Sequence, residues 1–314
     1  MPHWLIKTAI HRTISLLPQR QKWNELFQER VTKSLNLAPG GFEARLDACR
    51  RYLDEFLQLS PECEKGFTAV ELGTGWYPTV PIGLYLCGAT EIWSFDIDPL
   101  LRRDRLKVLL NYFLEYDRNG TLPKFLPRLR PERMAQLRQT AAKVDTLTPA
   151  ELLAELKIHV RIRDARSTEL PPQSVDLFFS YSVLEYVPAA IQLELYAEFR
   201  RVAKAQAVMI HFINLKDQYC NFDRSLTPLN CLKYSNRAWR WLDSPMIPQT
   251  RLRISDYRQL LIKSGFEIKR EVNTSAPAEM LQQIKLAPEF QAYAPEDLRV
   301  ITTWLTTRLV SEVV

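Results

Sequence analysis

Apolar positions in this chain recur with two periods, and the alternation between them outlines the elements. Phe42, Leu46, Cys49, Leu53 and Phe56 are spaced by four and three residues, the repeat of one helix face, and predict a helix over about 41–58. Phe67–Leu72 is a short apolar run with Glu71 near its end, and predicts a strand. The turn Gly73–Pro78 follows, then a helix to about Cys87 that Gly88 stops. Pro78 and Pro81 suit its first turn, where a missing N–H costs nothing. Glu91–Phe95 predicts a second strand, closed by D-I-D-P at 96–99. Leu106, Leu109, Leu110 and Phe113 stripe a helix over about 100–116.

Residues 117–157 break this rhythm. They are Pro-rich and basic at first, then helical, with no strand signal, and predict a helical insertion. Ile158–Arg163 and Val175–Ser180 predict strands, about 189–203 a helix, and Ala207–Ile213 a further strand. Residues 214–253 have no clear period. Ser255 then opens a helix to Lys263 with Gly265 as its stop. Phe266–Val272 and Val300–Val310 predict two last strands, with a helix over about 277–285 between them. Strands alternating with helices imply parallel β-α-β units. The expectation is an α/β fold: a Rossmann-like, mostly parallel seven-stranded sheet with helices on both faces. Residues 1–60 would form an N-terminal helical cap and 61–314 the main domain. Within it lie the insertion at about 117–157 and an irregular region at about 211–253.

Trp4, Leu5, Ile6, Ile10, Ile14 and Leu17 suit one face of an N-terminal helix, expected to pack on the domain. The same face would also serve weak peripheral membrane association. The uninterrupted apolar core of a secretory signal is missing. No apolar run approaches the roughly 18 residues of a membrane span.

Composition narrows the class. With 46% hydrophobic and 25% charged residues among 314, wholesale disorder is excluded. The net charge of +6 comes from Lys and Arg spread along the chain, with one cluster at Lys124, Arg128, Arg130, Arg133 and Arg138. This spread does not favour nucleic acid as a partner. Cys49, Cys63, Cys87, Cys220 and Cys231 form no CxxC pair and no metal-ligand pattern with the four histidines. They read as reduced thiols of a cytoplasmic protein without a metal.

Candidate chemistry begins at V-E-L-G-T-G-W-Y-P, residues 70–78, between a strand and a helix. Glycines at 73 and 75 allow a sharp turn and a ligand close to the main chain. The third glycine of a dinucleotide site would fall at position 78, which is Pro, and this weighs against NAD or FAD. Asp96 ends the next strand at about the 20-residue spacing where an acidic residue meets ribose hydroxyls. A helix cap before Pro99 is its other reading.

E-L-G-T-G, F-D-I-D-P, R-D-A-R at 163–166 and V-D-L-F-F-S-Y-S-V-L-E-Y-V at 175–187 together resemble class I S-adenosylmethionine (SAM)-dependent methyltransferases. The last stretch is similar to the subgroup whose fourth strand leads into V-L-E-H. The resemblance covers about 67–116 and 158–272. It implies SAM as cofactor, with Glu71, Gly73 and Gly75 around its methionine portion and Tyr77 beside them. Asp96 would bind the ribose, Ile97 would pack on the adenine, and Asp164 and Ala165 would address its amino edge. Ser180 and Tyr181 would line the pocket floor. Two departures stand out: the subgroup's His is Tyr186 here, and its L-K-P-G-G is V-A-K-A-Q at 202–206.

On the acceptor side, His211 near the end of the fifth strand reads as a general base or as a structural histidine. Asp217, Tyr219, Asn221, Asn230, Tyr234 and Arg251 read as a substrate pocket or as an ordinary polar loop. With Phe222, Trp239 and Trp241 as apolar wall, residues 117–157 and 211–253 are expected to enclose a small-molecule acceptor. The expected reaction is methyl transfer from SAM to an oxygen or nitrogen of a small organic acceptor, such as a secondary metabolite. The alternatives are an RNA or protein methyltransferase using the basic cluster, and a non-catalytic SAM-binding module. Against base methylation, Ser180-Tyr181-Ser182-Val183 stands where an N/D-P-P-[YF] motif would follow the fourth strand.

Overall fold

The strand signals come together in one sheet. The structure, a computed structural model, describes residues 4–18, 36–244 and 248–310. Its strands are β1 (Phe67–Leu72), β2 (Ala89–Asp96), β3 (Ile158–Ile162), β4 (Val175–Tyr181), β5 (Ala203–Asn214), β6 (Phe266–Ser275) and β7 (Val300–Leu309). They lie in the order β3-β2-β1-β4-β5-β7-β6. β1, β2, β3, β4 and β5 pair in parallel, while β7 runs antiparallel to both β5 and β6. This is the Rossmann-like α/β arrangement that the periodicity predicts. The order reverses between β1 and β4, and in open α/β sheets the crevice beyond the C-terminal strand ends at such a reversal receives ligands.

Both faces of the sheet are covered, which is why β1 and β4 are almost continuously buried rather than alternating. One face packs against α2 (Pro39–Leu59), α3 (Thr79–Leu86) and α4 (Arg103–Arg118), with Phe42, Leu46, Tyr52, Phe56, Leu106 and Phe113 in that core. The insertion adds α5 (Leu122–Phe125), α6 (Pro131–Ala141) and α7 (Pro149–Glu155) to the same side. The opposite face packs against α8 (Ala189–Val202) and α10 (Ile254–Lys263), through Tyr196, Phe199, Tyr257 and Leu261.

A third, smaller core gathers Tyr219, Leu229, Leu232, Trp239 and Phe290. It draws on α9 (Asn236–Leu242), and α11 (Ala278–Gln282) and α12 (Pro295–Arg299) lie beside it. α1 (Trp4–Ser15) closes this core with Trp4, whose ring lies 5.3 Å from Tyr219 and 6.0 Å from Tyr234. The expectation that α1 packs through its apolar stripe is corrected. Leu5, Ile6 and Leu17 are 45%, 52% and 41% exposed, while Lys7, Thr8 and His11 are buried with Trp4 and Ile14. Specific polar partners decide this: the Thr8 hydroxyl donates to the Leu242 carbonyl at 3.1 Å, and His11 Nδ1 meets Ser244 Oγ at 2.9 Å. Lys7 Nζ sits over the Phe222 ring.

The insertion is helical as predicted; its first part lies at the other end of the sheet from the crevice, and its later turn reaches the start of α4, where Arg103 donates to Asp145 O at 2.5 Å. The Arg130 N–H donates to Leu86 O at 2.9 Å, its guanidinium to Glu64 O at 2.8 Å, and Arg133 to Ala89 O at 3.3 Å. These carbonyls stand where β1 and β2 begin. Among the described residues, no helix is long and apolar enough to cross a membrane.

Candidate functional site

The chain leaves β1 through two residues with left-handed backbone, Gly73 (φ 84°) and Gly75 (φ 62°). A Cβ at position 73 would come within 2.5 Å of Val183, so the segment after β4 closes that position to every side chain. At Gly75 a Cβ would meet nothing within 4 Å. There the requirement is the backbone conformation alone.

Asp96 ties this turn to the end of β2. Its Oδ2 accepts from the Gly75 N–H at 2.9 Å and its Oδ1 from the Asp98 N–H at 3.0 Å. α4 begins only at Arg103, so Asp96 is not its cap. Burial raises its carboxyl above the usual value, and the two N–H bonds pull it back. Each carboxylate oxygen has a second lone pair left for a ligand.

Glu71, at the end of β1, is buried and accepts from the Ser94 hydroxyl, which in turn lies 2.6 Å from Thr74 Oγ1. Burial pushes its carboxyl up to about 8, with the Ser94 bond acting against the shift and the Asp96 charge adding to it.

Two cavities meet at Gly73. The first, of about 280 Å³, is lined by Glu71, Gly75, Trp76, Tyr77 and Tyr181 together with Asn36, Leu37, Gly41 and Arg45. The second, of about 300 Å³, is lined by Phe95, Asp96, Ile97, Asp164, Ala165, Val183, Val187 and Ile191. The residues expected from the resemblance thus divide between two halves of one crevice, with Ser180 as the exception. Ser180 is fully buried behind Tyr181, its Oγ 2.7 Å from His211 Nδ1 and its carbonyl accepting from the Tyr52 hydroxyl at 2.6 Å. Asp164 lies at the rim, held below the usual carboxylate range by Arg166, whose Nε donates to it at 2.8 Å.

The acceptor-side expectations are corrected. His211 is 1% exposed and lines neither cavity. It faces the α8 side of the sheet, with its ring 6.4 Å from Tyr196, and burial lowers its pKa to about 3. A base must reach the proton that it takes; this imidazole reaches Ser180, which leaves it the structural reading. Asp217, Tyr219, Asn230, Tyr234 and Arg251 belong to the third core or brace it. Asp217 accepts from the Tyr219 N–H at 2.7 Å and from Asn230 Nδ2 at 2.9 Å. Arg251 donates to the carbonyls of Cys231 and Tyr234 at 2.9 and 2.5 Å, and lies over Trp239 and Phe290. Their polar groups are consumed in holding an irregular segment together, a use that a sequence cannot distinguish from a pocket. Nor does the insertion line the crevice: none of its residues borders either cavity.

The sequence reading missed Asn36–Arg45 and Trp76. The start of α2, expected only as a cap, supplies a wall of the first cavity. Trp76 was visible inside the glycine turn, where a large aromatic between Gly75 and Pro78 has no need in the turn itself. Arg105 lies 4.1 Å over its ring. Among the described residues no group of three His, Cys, Asp or Glu could hold a metal ion.

No family model matches the chain, and no curated protein matches it. Among solved structures, it is similar to a SAM-dependent methyltransferase from Methanosarcina mazei, with 11% identity, a TM-score of 0.45 and coverage of 81% of this chain and 97% of that one. It is also similar to a geranyl diphosphate methyltransferase in complex with SAM, at 10% identity and a TM-score of 0.46, covering 89% and 95%. A third is magnesium protoporphyrin IX methyltransferase from Synechocystis with bound S-adenosylhomocysteine (SAH), at 12% identity and a TM-score of 0.45, covering 90% and 96%. Likenesses this distant assign neither a ligand nor a reaction to this chain.

Proposed function

We propose that this protein is a SAM-dependent methyltransferase acting on an oxygen or nitrogen of a small organic acceptor. One observation carries the reading: two cavities joined at Gly73, one holding the buried carboxylate of Glu71, the other Asp96, Asp164 and apolar side chains. That division suits a ligand with a cationic amino-acid end and a nucleoside end. The residues fit such a ligand. Among the described residues no cation pairs with Glu71, and an ammonium group would offset the cost of its burial. Asp96 keeps lone pairs for ribose hydroxyls, and Ile97, 74% exposed, offers an apolar surface for a base. Pro78 denies the close helix approach that a dinucleotide pyrophosphate uses.

When bound, SAM supplies a methyl group already activated by its positive sulfur. The chain's task is then alignment and exclusion of water. Tyr181, stacked 4.8 Å from Phe212, forms a rigid wall, while Trp76 and Tyr77 bound the same cavity. His211 is too far inside the sheet to serve as the base, and proton removal is left to the acceptor and solvent. The nucleic-acid alternative loses its main support, because Arg130 and Arg133 are engaged with backbone carbonyls at the opposite edge.

Titration calorimetry with SAM, SAH and NAD tests the proposal. Saturable heats are expected from the two sulfur ligands and none from NAD. Saturable NAD binding with no heat from SAM or SAH would overturn it. Labelled SAM incubated with cell extract then identifies the acceptor from the labelled product.

A further inference from the structure

We propose that the outward face of α1, together with Trp241 in the last turn of α9, docks the protein on a membrane leaflet that carries anionic lipid. The inference is independent of the cofactor reading above.

α1 packs with its polar side inward. Lys7, Thr8 and His11 are buried, and Thr8 and His11 bond Leu242 O and Ser244 Oγ. The opposite side presents Leu5, Ile6, Ala9 and Thr13, which share one helix face, and Leu16 and Leu17 extend it past the last turn. Leu16 is 86% exposed. Trp241, 71% exposed, is tied to α1 by Arg12. The Arg12 guanidinium lies 5.2 Å over the indole, and its Nε donates to the Trp241 carbonyl at 2.9 Å. Of the twelve large hydrophobic side chains exposed among the described residues, five gather here: Leu5, Ile6, Leu16, Leu17 and Trp241. That makes a patch, where the single exposed apolar residues of an ordinary surface need no explanation.

Charge selects the occupant. Residues 4–18 include Lys7, His11 and Arg12 and no Asp or Glu. α9 carries Arg237 and Arg240, both exposed, and likewise no acid. Arg12 donates to the Trp241 and Arg240 carbonyls, which fixes its charge beside the indole without cancelling it. Asp223 bonds the Trp4 N–H, at the other end of α1 from Arg12. An apolar stripe edged by cations matches the boundary of an anionic leaflet. Leu and Ile side chains enter the acyl region, Trp sits at headgroup depth, and Arg meets lipid phosphate. A second copy of the chain fits less well. An isologous contact would bring Arg12, Arg237 and Arg240 against the same cations of the other copy.

Cosedimentation of the full-length protein with two kinds of vesicle tests this: phosphatidylcholine alone, and an equimolar mixture with phosphatidylglycerol. The wild type should partition onto the mixed vesicles about 10-fold or more strongly than onto the neutral ones, and less so in high salt. Ile6→Gln combined with Leu16→Gln changes two exposed side chains. It should leave the melting temperature unchanged and weaken binding to mixed vesicles about 10-fold or more. Arg237→Glu with Arg240→Glu should weaken binding to mixed vesicles about 10- to 30-fold and leave neutral-vesicle partition within about twofold. This charge pair decides the matter should the Gln variant fail to fold. Absence of wild-type binding, equal partition onto the two vesicles, or a folded Gln variant that binds as the wild type does overturns the proposal. Sedimentation velocity covers the other occupant: a dimer that the Gln variant dissociates, with no vesicle binding, would assign the face to a second copy instead.

Discussion

Asp96 bonds the glycine turn through one oxygen and its own loop through the other, so removing it has two separable costs. Asp96→Ala should lower stability by about 1–3 kcal/mol, because the Gly75 N–H loses its partner. It should also weaken SAH by about 10- to 150-fold if the remaining lone pairs hold ribose hydroxyls. Thermal unfolding and calorimetry on the same variant separate the two, and a stability loss without an affinity loss would confine Asp96 to the turn. Glu71 makes a pH-dependent prediction. Its folded carboxyl is pushed up to about 8 against 4.5 for the free group. Between these values the folded state holds a proton that the unfolded state has lost, so stability falls as pH rises through that window. In Glu71→Gln this contribution is absent. Its melting temperature should therefore decline less than that of the wild type between about pH 5 and about pH 8. Parallel curves for the two proteins would remove the buried acid from the account. The same residue would release its proton on meeting an ammonium group, since a nearby cation favours the carboxylate.

At the scale of elements, α6 and its leading turn look functional in sequence because they are basic, yet their position gives them a different task. Arg130 and Arg133 reach the carbonyls of Glu64 and Ala89, just before or at the first residues of β1 and β2, where the sheet edge would otherwise leave acceptors unpaired. Replacing both with Ala should lower the melting temperature and leave SAH affinity within about twofold. Scanning calorimetry and titration calorimetry check the pair, and a large loss of affinity without loss of stability would return the insertion to the ligand site. α1 teaches the same lesson in reverse. Its apolar stripe is half exposed, and its buried side is set by Thr8 and His11 meeting Leu242 and Ser244, partners far away in the chain. Periodicity reports which face of a helix is apolar. It does not report what the other face will find.

Across the whole molecule, the sequence by itself determined the succession of strands and helices, the glycine turn at 73–75 and the acidic residue that closes β2. These depend on neighbours within a few positions: left-handed backbone calls for glycine, proline starts a helix, and apolar residues repeat with the period of their element. The motif resemblance pointed to the strand-end residues of the two cavity halves, but not to the Asn36–Arg45 wall or to Trp76. Only the tertiary structure decided the strand order, the antiparallel β7, and which polar side chains remain available to a ligand. His211 is taken by Ser180, Asp217 by Asn230, and Arg251 by two carbonyls of its own segment, while Arg45 remains directed at a cavity built from β1. A polar side chain carries the same chemistry in either use. Whether it stabilises the fold or meets a ligand depends on what lies across from it in space, and that is set by contacts between residues far apart in the chain.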